Sequence, residues 1–256
     1  MSSHKKKAVA TNELCAWLDK TLNAQAFADY CPNGMQVQGR DSVSHIIAGV
    51  TASEALIDLA IQEKADALLV HHGWFWKGED SRIIGIRRTR LAKLLAHDIN
   101  LIAYHLPLDA HPTLGNNARL AQILGFDTSH TTGRNGLIGV GRSQSIRNLG
   151  QLTARIADKL GRVPLVIGDS KKKITRIAWC TGAAQSMFQE AIDAGADVFI
   201  TGEISEPTVH LARESGVAFI SAGHHATERY GVQALGQALL EHFPITVKFM
   251  DVDNPV

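Results

Sequence analysis

The chain has 256 residues, of which 45% are hydrophobic and 20% are charged. This composition is typical of a globular protein with a sizeable core, and it excludes disordered, collagen-like and coiled-coil chains. Lys and Arg total 26 against 25 Asp and Glu, so the formal net charge is +1 and gives no general attraction to nucleic acids or membranes.

The start of the chain and its cysteines indicate the compartment. Residues 1–7 are basic, but polar residues follow where a signal peptide requires an apolar run. The longest apolar stretches have the length of a strand, which predicts no membrane span. The cysteines Cys15, Cys31 and Cys180 are scattered and odd in number, so we interpret them as reduced core residues. We expect a cytoplasmic protein.

Short aliphatic runs alternate with helical periodicity, a pattern typical of βα units around a largely parallel sheet. The predicted fold class is therefore α/β. A helix over 12–22 opens the fold with Thr11 as its N-cap, and a long helix over 226–241 precedes the last strand. The predicted strands, in chain order, are 45–50, 67–70, 101–104, 174–180, 198–201, 217–221 and 245–251.

Two parts of the sequence resemble each other, which predicts an internal duplication of a βαβαβ unit. Each part then contains a histidine four positions before a carboxylate, His105 with Asp109 and His224 with Glu228. The predicted lobes are 1–128 and 129–256. The matching segments are 47–52 and 65–72 in the first part, and 177–182 and 196–203 in the second.

The candidate functional residues follow the carboxyl ends of predicted strands, where side chains of an open α/β sheet face a ligand crevice. Imidazole and carboxylate together suit divalent ions such as Zn, Mn, Fe, Co or Ni. The set exceeds what one tetrahedral ion uses, so we predict two ions with a bridging carboxylate. The candidate ligands are His71, His72, Asp109, His224 and Glu228.

Each of these features also has a structural interpretation. A His-His-Gly turn often only packs or forms hydrogen bonds. Pro107 predicts an extended conformation for 105–109, so His105 and Asp109 are not assumed to share a helix face. Glu228 could instead interact with the dipole at the start of its helix. The joint position at one sheet edge favours the metal site.

Several neighbouring residues allow two interpretations. Asn116 and Asn117 orient ligands or cap the helix over 117–124, and His111 is a further candidate for ligand orientation. Trp74 and Trp76 have three possible roles: stacking on a flat substrate, packing in the core or contact with another subunit. The role of Glu203, at the end of strand 198–201, stays open.

Segments with these residues resemble the Nif-three-like dinuclear metal protein family, whose bacterial members are named GTP cyclohydrolase I type II homologue. The resemblance covers nearly the whole chain and corresponds to the short bacterial form without an inserted domain. The segments are DYCPNGMQV at 29–37, VHHGWFWKG at 70–78, YHLPLDAHPTLGNN at 104–117, TGEIS at 201–205 and AGHHATER at 222–229.

This resemblance implies two related α/β lobes that face each other across a metal cleft, and a ring-shaped homohexamer. It does not extend the ligand set to His105, which we expect near the metals as a catalytic proton-transferring group. Glu228 is expected to contact both ions. The ligands implied are His71, His72, Asp109, His224 and Glu228.

The leading functional hypothesis is a metal-dependent hydrolase in which a metal-activated water attacks a purine nucleotide such as GTP. Metal-dependent phosphoester hydrolysis and non-enzymatic metal binding are the alternatives. Dinucleotide, Walker and nucleophile-elbow motifs are missing from the sequence. We expect a small-molecule substrate and neither a membrane nor a long nucleic acid, since the latter requires many basic contacts.

Overall fold

The computed structural model describes residues 7–256, and the basic start at 1–6 lies outside the described residues. The strands are β1 Val9–Ala10, β2 Gly34–Val37, β3 Ser42–Val43, β4 His45–Thr51, β5 Ala67–His72, β6 Asn100–Ala103, β7 Asp127–Thr132, β8 Ile138–Arg142, β9 Leu165–Ile167, β10 Ile177–Trp179, β11 Val198–Thr201, β12 Ala218–Ser221 and β13 Thr246–Phe249. The helices are α1 Thr11–Leu22, α2 Glu54–Gln62, α3 Gly85–Ala96, α4 Leu106–Ala110, α5 Asn116–Leu124, α6 Leu149–Leu160, α7 Phe188–Asp193, α8 Glu206–Ser215 and α9 His224–His242.

The chain forms two compact units. The first contains the residues up to Leu108 together with Gly231–Val252, and the second contains Asp109–Tyr230 and Asp253–Val256. The lobe boundary predicted between residues 128 and 129 rests on the duplicated sequence, and it stays a prediction because packing and ancestry need not divide a chain at the same place. Among residues 7–256, no helix has both the length and the apolar character required to cross a membrane.

The first unit is built on a five-stranded sheet in the order β13-β4-β5-β6-β2. The first four strands are parallel, and β2 is antiparallel to β6. Strand β5 begins with four fully buried aliphatic residues over 67–70, as expected for a parallel strand covered on both faces. Leu56 of α2 and Leu94 of α3 contribute to the same core.

The second unit is built on a six-stranded sheet in the order β7-β8-β10-β11-β12-β9. Strands β10, β11 and β12 are parallel, while β8 and β9 are antiparallel to their neighbours. Helix α6 buries Leu149, Leu152, Ile156 and Leu160, a helical spacing that forms one apolar stripe. This stripe packs in a core that also contains Trp179 of β10.

Both units therefore contain three consecutive parallel strands, and an antiparallel strand borders the third of them. The broad fold prediction, α/β, is confirmed. The first sheet is largely parallel, whereas the second is mixed. The shared strand order is what a duplication requires, and the duplication itself stays a hypothesis.

The expected N-cap of the first helix is wrong. Thr11 is the first residue of α1, and Ala10 occupies the cap position without a side-chain cap bond. The Thr11 hydroxyl instead donates a hydrogen bond to the carbonyl oxygen of Arg40 at 2.8 Å. The pairing of β1 with β3 brings this carbonyl close, so a tertiary contact replaces the cap.

The expected extended conformation around Pro107 is also wrong, because residues 106–110 form α4. Pro107 stands in the first turn of that helix. A backbone N–H has no partner within the helix at this place, so proline costs nothing there.

Candidate metal centre

Three imidazoles gather at the carboxyl edge of the first unit's sheet. His71 and His72 are the last two residues of β5, and their ring centroids are 4.5 Å apart. His105 follows β6, and its ring centroid is 5.2 Å from that of His71. One ring nitrogen of each lies within 4.8 Å of the other two. We call His71, His72 and His105 the histidine group.

The buried His71 has a defined tautomer. Its Nδ1 lies 2.9 Å from the carbonyl oxygen of Tyr104. A carbonyl oxygen only accepts hydrogen bonds, so Nδ1 carries the proton and Nε2 carries the lone pair of the neutral ring. A backbone group that fixes the ring in this way is typical of a histidine that binds a metal through its other nitrogen.

His105 is held by a carboxylate. Its Nδ1 lies 2.7 Å from Oδ1 of Asp29, whose Oδ2 accepts hydrogen bonds from Asn33 Nδ2 and from the Leu106 N–H, both at 2.9 Å. Burial raises the pKa of Asp29, but these hydrogen bonds outweigh it and lower the pKa to about 2. Trp76 packs edge-on against the His105 ring, with centroids 4.9 Å apart. Asp29 is therefore ionised and fixes the orientation of His105.

In the second unit, the donors come from the start of α9. His224 is its first residue, and its Nε2 lies 3.0 Å from Oε2 of Glu228. Its Nδ1 lies 2.7 Å from Oε1 of Glu203. Burial lowers the pKa of His224, but the two carboxylates outweigh it and raise the pKa to about 9. The imidazole thus occupies a position that favours a positive charge.

A second carboxylate lies close to Glu228. Asp109 and Glu228 are 8% and 2% exposed, and one oxygen of each lies within 4.8 Å of the other. Oδ1 of Asp109 accepts hydrogen bonds from Asn116 Nδ2 at 2.9 Å and Thr181 Oγ1 at 3.4 Å. Two buried carboxylates this close repel each other unless a cation neutralises them. We call Asp109, His224 and Glu228 the carboxylate group.

A glycine makes room for the carboxylate group. Gly182 has a φ of +69°, and a Cβ there would lie 2.1 Å from Oε1 of Glu228 and 3.2 Å from Nε2 of His224. The donor atoms therefore lie directly against the backbone, and any side chain at this position would displace them.

Both groups fit a divalent cation. Their donors are imidazole nitrogens and carboxylate oxygens, which suit ions such as Mn, Fe, Co, Ni or Zn. Partners that fix donor orientation include the Tyr104 carbonyl, Glu203 and Asn116. Cys180 lies near the carboxylate group, but burial raises the pKa of its thiol, and Asp109 and Glu228 raise it further. These effects disfavour the thiolate form, which is the form of cysteine that binds metals.

The sequence of residues 9–255 matches the family described as Duf34/NIF3 (NGG1p interacting factor 3). The chain belongs to this family. It is 52% identical, over 96% of its length and 99% of the relative, to a Neisseria meningitidis protein named GTP cyclohydrolase 1 type 2 homolog. The predicted family resemblance is confirmed.

Solved structures agree with this membership. Protein ybgI, described as of unknown function, is 47% identical with a TM-score of 0.92, over 97% of this chain and 100% of that chain. TTHA1606 from Thermus thermophilus is 35% identical with a TM-score of 0.87, over 97% and 100% of the two chains. The two-sheet fold is thus that of the Duf34/NIF3 family.

The two asparagines of this Duf34/NIF3 chain bind Asp109 rather than cap a helix. Gly115 occupies the N-cap position of α5, so no side chain caps this helix. Asn116 donates to the Asp109 carboxylate, and Asn117 donates to the Asp109 carbonyl oxygen at 3.3 Å. Asn117 also accepts a hydrogen bond from the N–H of Thr181 at 3.0 Å.

The tryptophans separate into two roles. Trp74 is buried, and its Nε1 donates to the carbonyl oxygen of Ala52 at 3.0 Å, as the core-packing interpretation requires. Trp76 is half-buried and lies beside His105. The predicted candidate His111 has Nδ1 3.0 Å from the N–H of Leu114, and so it stabilises the turn that follows α4.

Two carboxylates that bind histidines, Asp29 and Glu203, were not predicted in this role. Asp29 lies 76 positions from His105, so no local spacing connects them. The available signal is the segment 29–37, which begins with Asp29 and resembles the family.

Proposed function

We propose that this chain is a metal-dependent hydrolase with a dinuclear centre, and that its ligands are His71, His72, Asp109, His224 and Glu228. The observation that carries the proposal is the pair of buried carboxylates, Asp109 and Glu228, within 4.8 Å of each other. Such a pair beside the imidazole of His224 requires positive charge, which a divalent cation supplies.

The proposal of two ions follows from the number of donors. The histidine group and the carboxylate group together offer more donors than one tetrahedral ion takes. Glu228 is the proposed bridging ligand because a carboxylate has two oxygens. Its Oε2 lies 3.0 Å from His224 Nε2, while its Oε1 lies against Gly182.

The bound ions would lower the pKa of a water molecule and polarise the bond that it attacks. The Nδ1–H of His105 donates a hydrogen bond to Asp29. Nε2 is therefore the ring nitrogen that accepts a proton from a reacting group. The ionised Asp29 stabilises the imidazolium that forms. Asn116 and Thr181 keep the Asp109 carboxylate in place.

The proposed substrate is a purine nucleotide such as GTP, whose imidazole ring is opened with release of formate. The name of the Neisseria relative supports this choice. Phosphoester hydrolysis and metal binding without turnover are the alternatives. We also propose a cytoplasmic location and, from the family resemblance, a hexameric ring, which analytical ultracentrifugation of the full chain would test.

The decisive experiment incubates Mn-loaded protein with GTP and, separately, with a single-stranded oligonucleotide. Ring opening is followed by absorbance and formate release, and cleavage of phosphate bonds by chromatography. We expect formate from GTP with the wild type and none with Asp109→Asn. Cleavage of phosphate bonds with an intact ring would favour the phosphoesterase. No turnover at full metal occupancy would favour the non-enzymatic alternative.

A further inference from the structure

Three glycines follow the parallel strands of the second unit at their carboxyl ends. Gly182 follows β10, Gly202 follows β11 and Gly223 follows β12. Gly182 lies against the donor atoms of Glu228, and a Cβ at Gly202 would lie 2.5 Å from the Cα of His224. Two of the three glycines thus make room for members of the carboxylate group.

The third glycine makes room for an arginine. Gly223 has a φ of +101°, and a Cβ there would lie 2.2 Å from Nη1 and 2.8 Å from Cζ of Arg162. Strand β9 pairs with β12 in antiparallel orientation, with Leu165 opposite Ser221. The residues just before β9 therefore lie past the carboxyl end of β12. This places the guanidinium on the residue that precedes His224.

The guanidinium of Arg162 has an unused donor. Within residues 7–256, its Nη1 is buried and has no hydrogen-bond partner. Arginine is always charged, and a buried donor without an acceptor is costly. Arg229 donates from its Nη2 to the Leu160 carbonyl oxygen at 2.9 Å and so stabilises the fold. The packing of Arg162 on Gly223 gives no comparable hydrogen bond.

We propose that Arg162 binds a phosphate group of a ligand that is bound at Asp109, His224 and Glu228. This inference rests on the proposed metal-dependent function. A guanidinium matches two phosphate oxygens, and cations at Glu228 and His224 would attract the same group. The Arg162 side chain is half-buried, so part of it faces solvent, where a ligand reaches it.

The test measures the binding of inorganic phosphate to the full chain by calorimetry, in the metal-free and the Mn-loaded protein. The variants are Arg162→Gln and Arg162→Lys, and acetate replaces phosphate in a parallel titration. Arg213→Gln is the matched control, because Arg213 is an exposed arginine in the last turn of α8 of the same unit.

We expect Arg162→Gln to weaken phosphate binding by about tenfold in both forms, as loss of a charge-assisted hydrogen bond predicts. Arg162→Lys should lose less, acetate should bind more weakly than phosphate, and Arg213→Gln should match the wild type. Equal phosphate affinity of Arg162→Gln and the wild type would overturn the proposal. Phosphate binding that changes with Mn loading but not with the residue at position 162 would also overturn it. Elemental analysis before each titration tests the proposed metal centre separately.

Discussion

In the first unit, Asp66 stands just before β5 and accepts hydrogen bonds from two backbone N–H groups at the start of β4, at 2.8 and 2.9 Å. In the second unit, Asp197 stands just before β11 and accepts from two N–H groups just before β10, at 2.7 and 2.8 Å. The amino ends of the central strands are therefore built alike.

The carboxyl ends of the same strands differ. Five residues after these aspartates, the first unit has His71 and the second has Gly202. The strand pairing likewise makes Gly223 the counterpart of His105. The first unit places imidazoles at the ends of its strands. The second has glycines there, and its donors come from α9 and, for Asp109, from α4. The contrast teaches that similar sheets can present candidate metal donors in two ways, from the strand ends or from the helices that follow them.

The largest effect on stability is expected at Gly202, where only a residue without a Cβ fits in the second unit. In Gly202→Ala, the new Cβ would lie 2.5 Å from the His224 Cα and 2.7 Å from the Gly182 carbonyl oxygen. Because both neighbours are backbone atoms, we expect a loss of about 3 kcal/mol in the free energy of unfolding, measured with urea.

Gly236→Ala is the matched control for this substitution. Gly236 lies inside α9, and its nearest neighbour is the side chain of Val247 at 3.0 Å. Helix propensity favours alanine there by up to about 1 kcal/mol, so the variant should be neutral or slightly more stable. Equal losses in both variants would contradict the close-approach explanation.

The next effect concerns the proposed bridging ligand. Glu228→Gln removes a charged oxygen donor, and we expect the affinity for both ions to fall by roughly 100-fold or more. Metal content after dialysis against a fixed Mn concentration measures this loss. Glu241→Gln, an exposed change in the same helix, should retain both ions. Retention of one ion at wild-type affinity in Glu228→Gln would exclude the bridge.

The two strand-borne histidines should behave differently from the bridging ligand and from each other. His71→Ala and His72→Ala are each expected to weaken one ion by at least about tenfold while the other ion stays bound. His71 is fully buried, whereas His72 is half-buried, so His71→Ala should also lower the free energy of unfolding by about 1–3 kcal/mol. Metal titration and thermal unfolding separate the effects, and simultaneous loss of both ions in either variant would refute independent roles.

The smallest effect tests the shared amino ends. Asp66→Asn and Asp197→Asn should each cost about 1–2 kcal/mol and leave metal content unchanged. Burial raises the pKa of Asp66, but hydrogen bonds from Ser44 and His45 and the charge of Arg40 outweigh it and lower the pKa below its ordinary value of 3.8.

Because the pKa of Asp66 is lower in the folded state, the contribution of Asp66 to the free energy of unfolding changes with pH in a definite direction. The Asp66 carboxylate stabilises the fold above its ordinary pKa, and this contribution disappears as the pH falls through the lower folded value. Acid unfolding curves should therefore be shallower below pH 3.8 in Asp66→Asn than in the wild type. Superimposable curves would show that Asp66 does not contribute in this range.

The parallel strands were accessible from the sequence because strands buried on both faces are continuous hydrophobic runs. Strand β11 has the predicted bounds, and β5 extends two residues further to His72. The antiparallel strands β2, β7 and β9 were missed, whereas the glycine-rich segment 136–141 was interpreted as a strand and contains most of β8. Every residue of β7 is polar, and five of its six residues are exposed, so it has the composition of a loop. Only its pairing with β8 makes it a strand.

The candidate site was predictable where chemistry follows a strand end. His71 and His72 lie together, and His224 lies beside Glu228, because local sequence order places them there. Contacts across many residues were not predictable. The contact of Asp29 with His105 and the contact of Arg162 with Gly223 join segments that are distant in the sequence. No periodicity or motif in the sequence indicates either contact.

The buried Cys180 thiol has a consequence for metal selectivity. Its pKa is raised by burial and by the adjacent Asp109 and Glu228, so the soft thiolate form does not arise beside these carboxylates. A cysteine held in the thiol form favours harder ions at the proposed centre over ions such as copper(I), which prefer sulfur ligands. The buried, protonated thiol is also a poor target for oxidation, because oxidation of cysteine follows its thiolate character and its exposure.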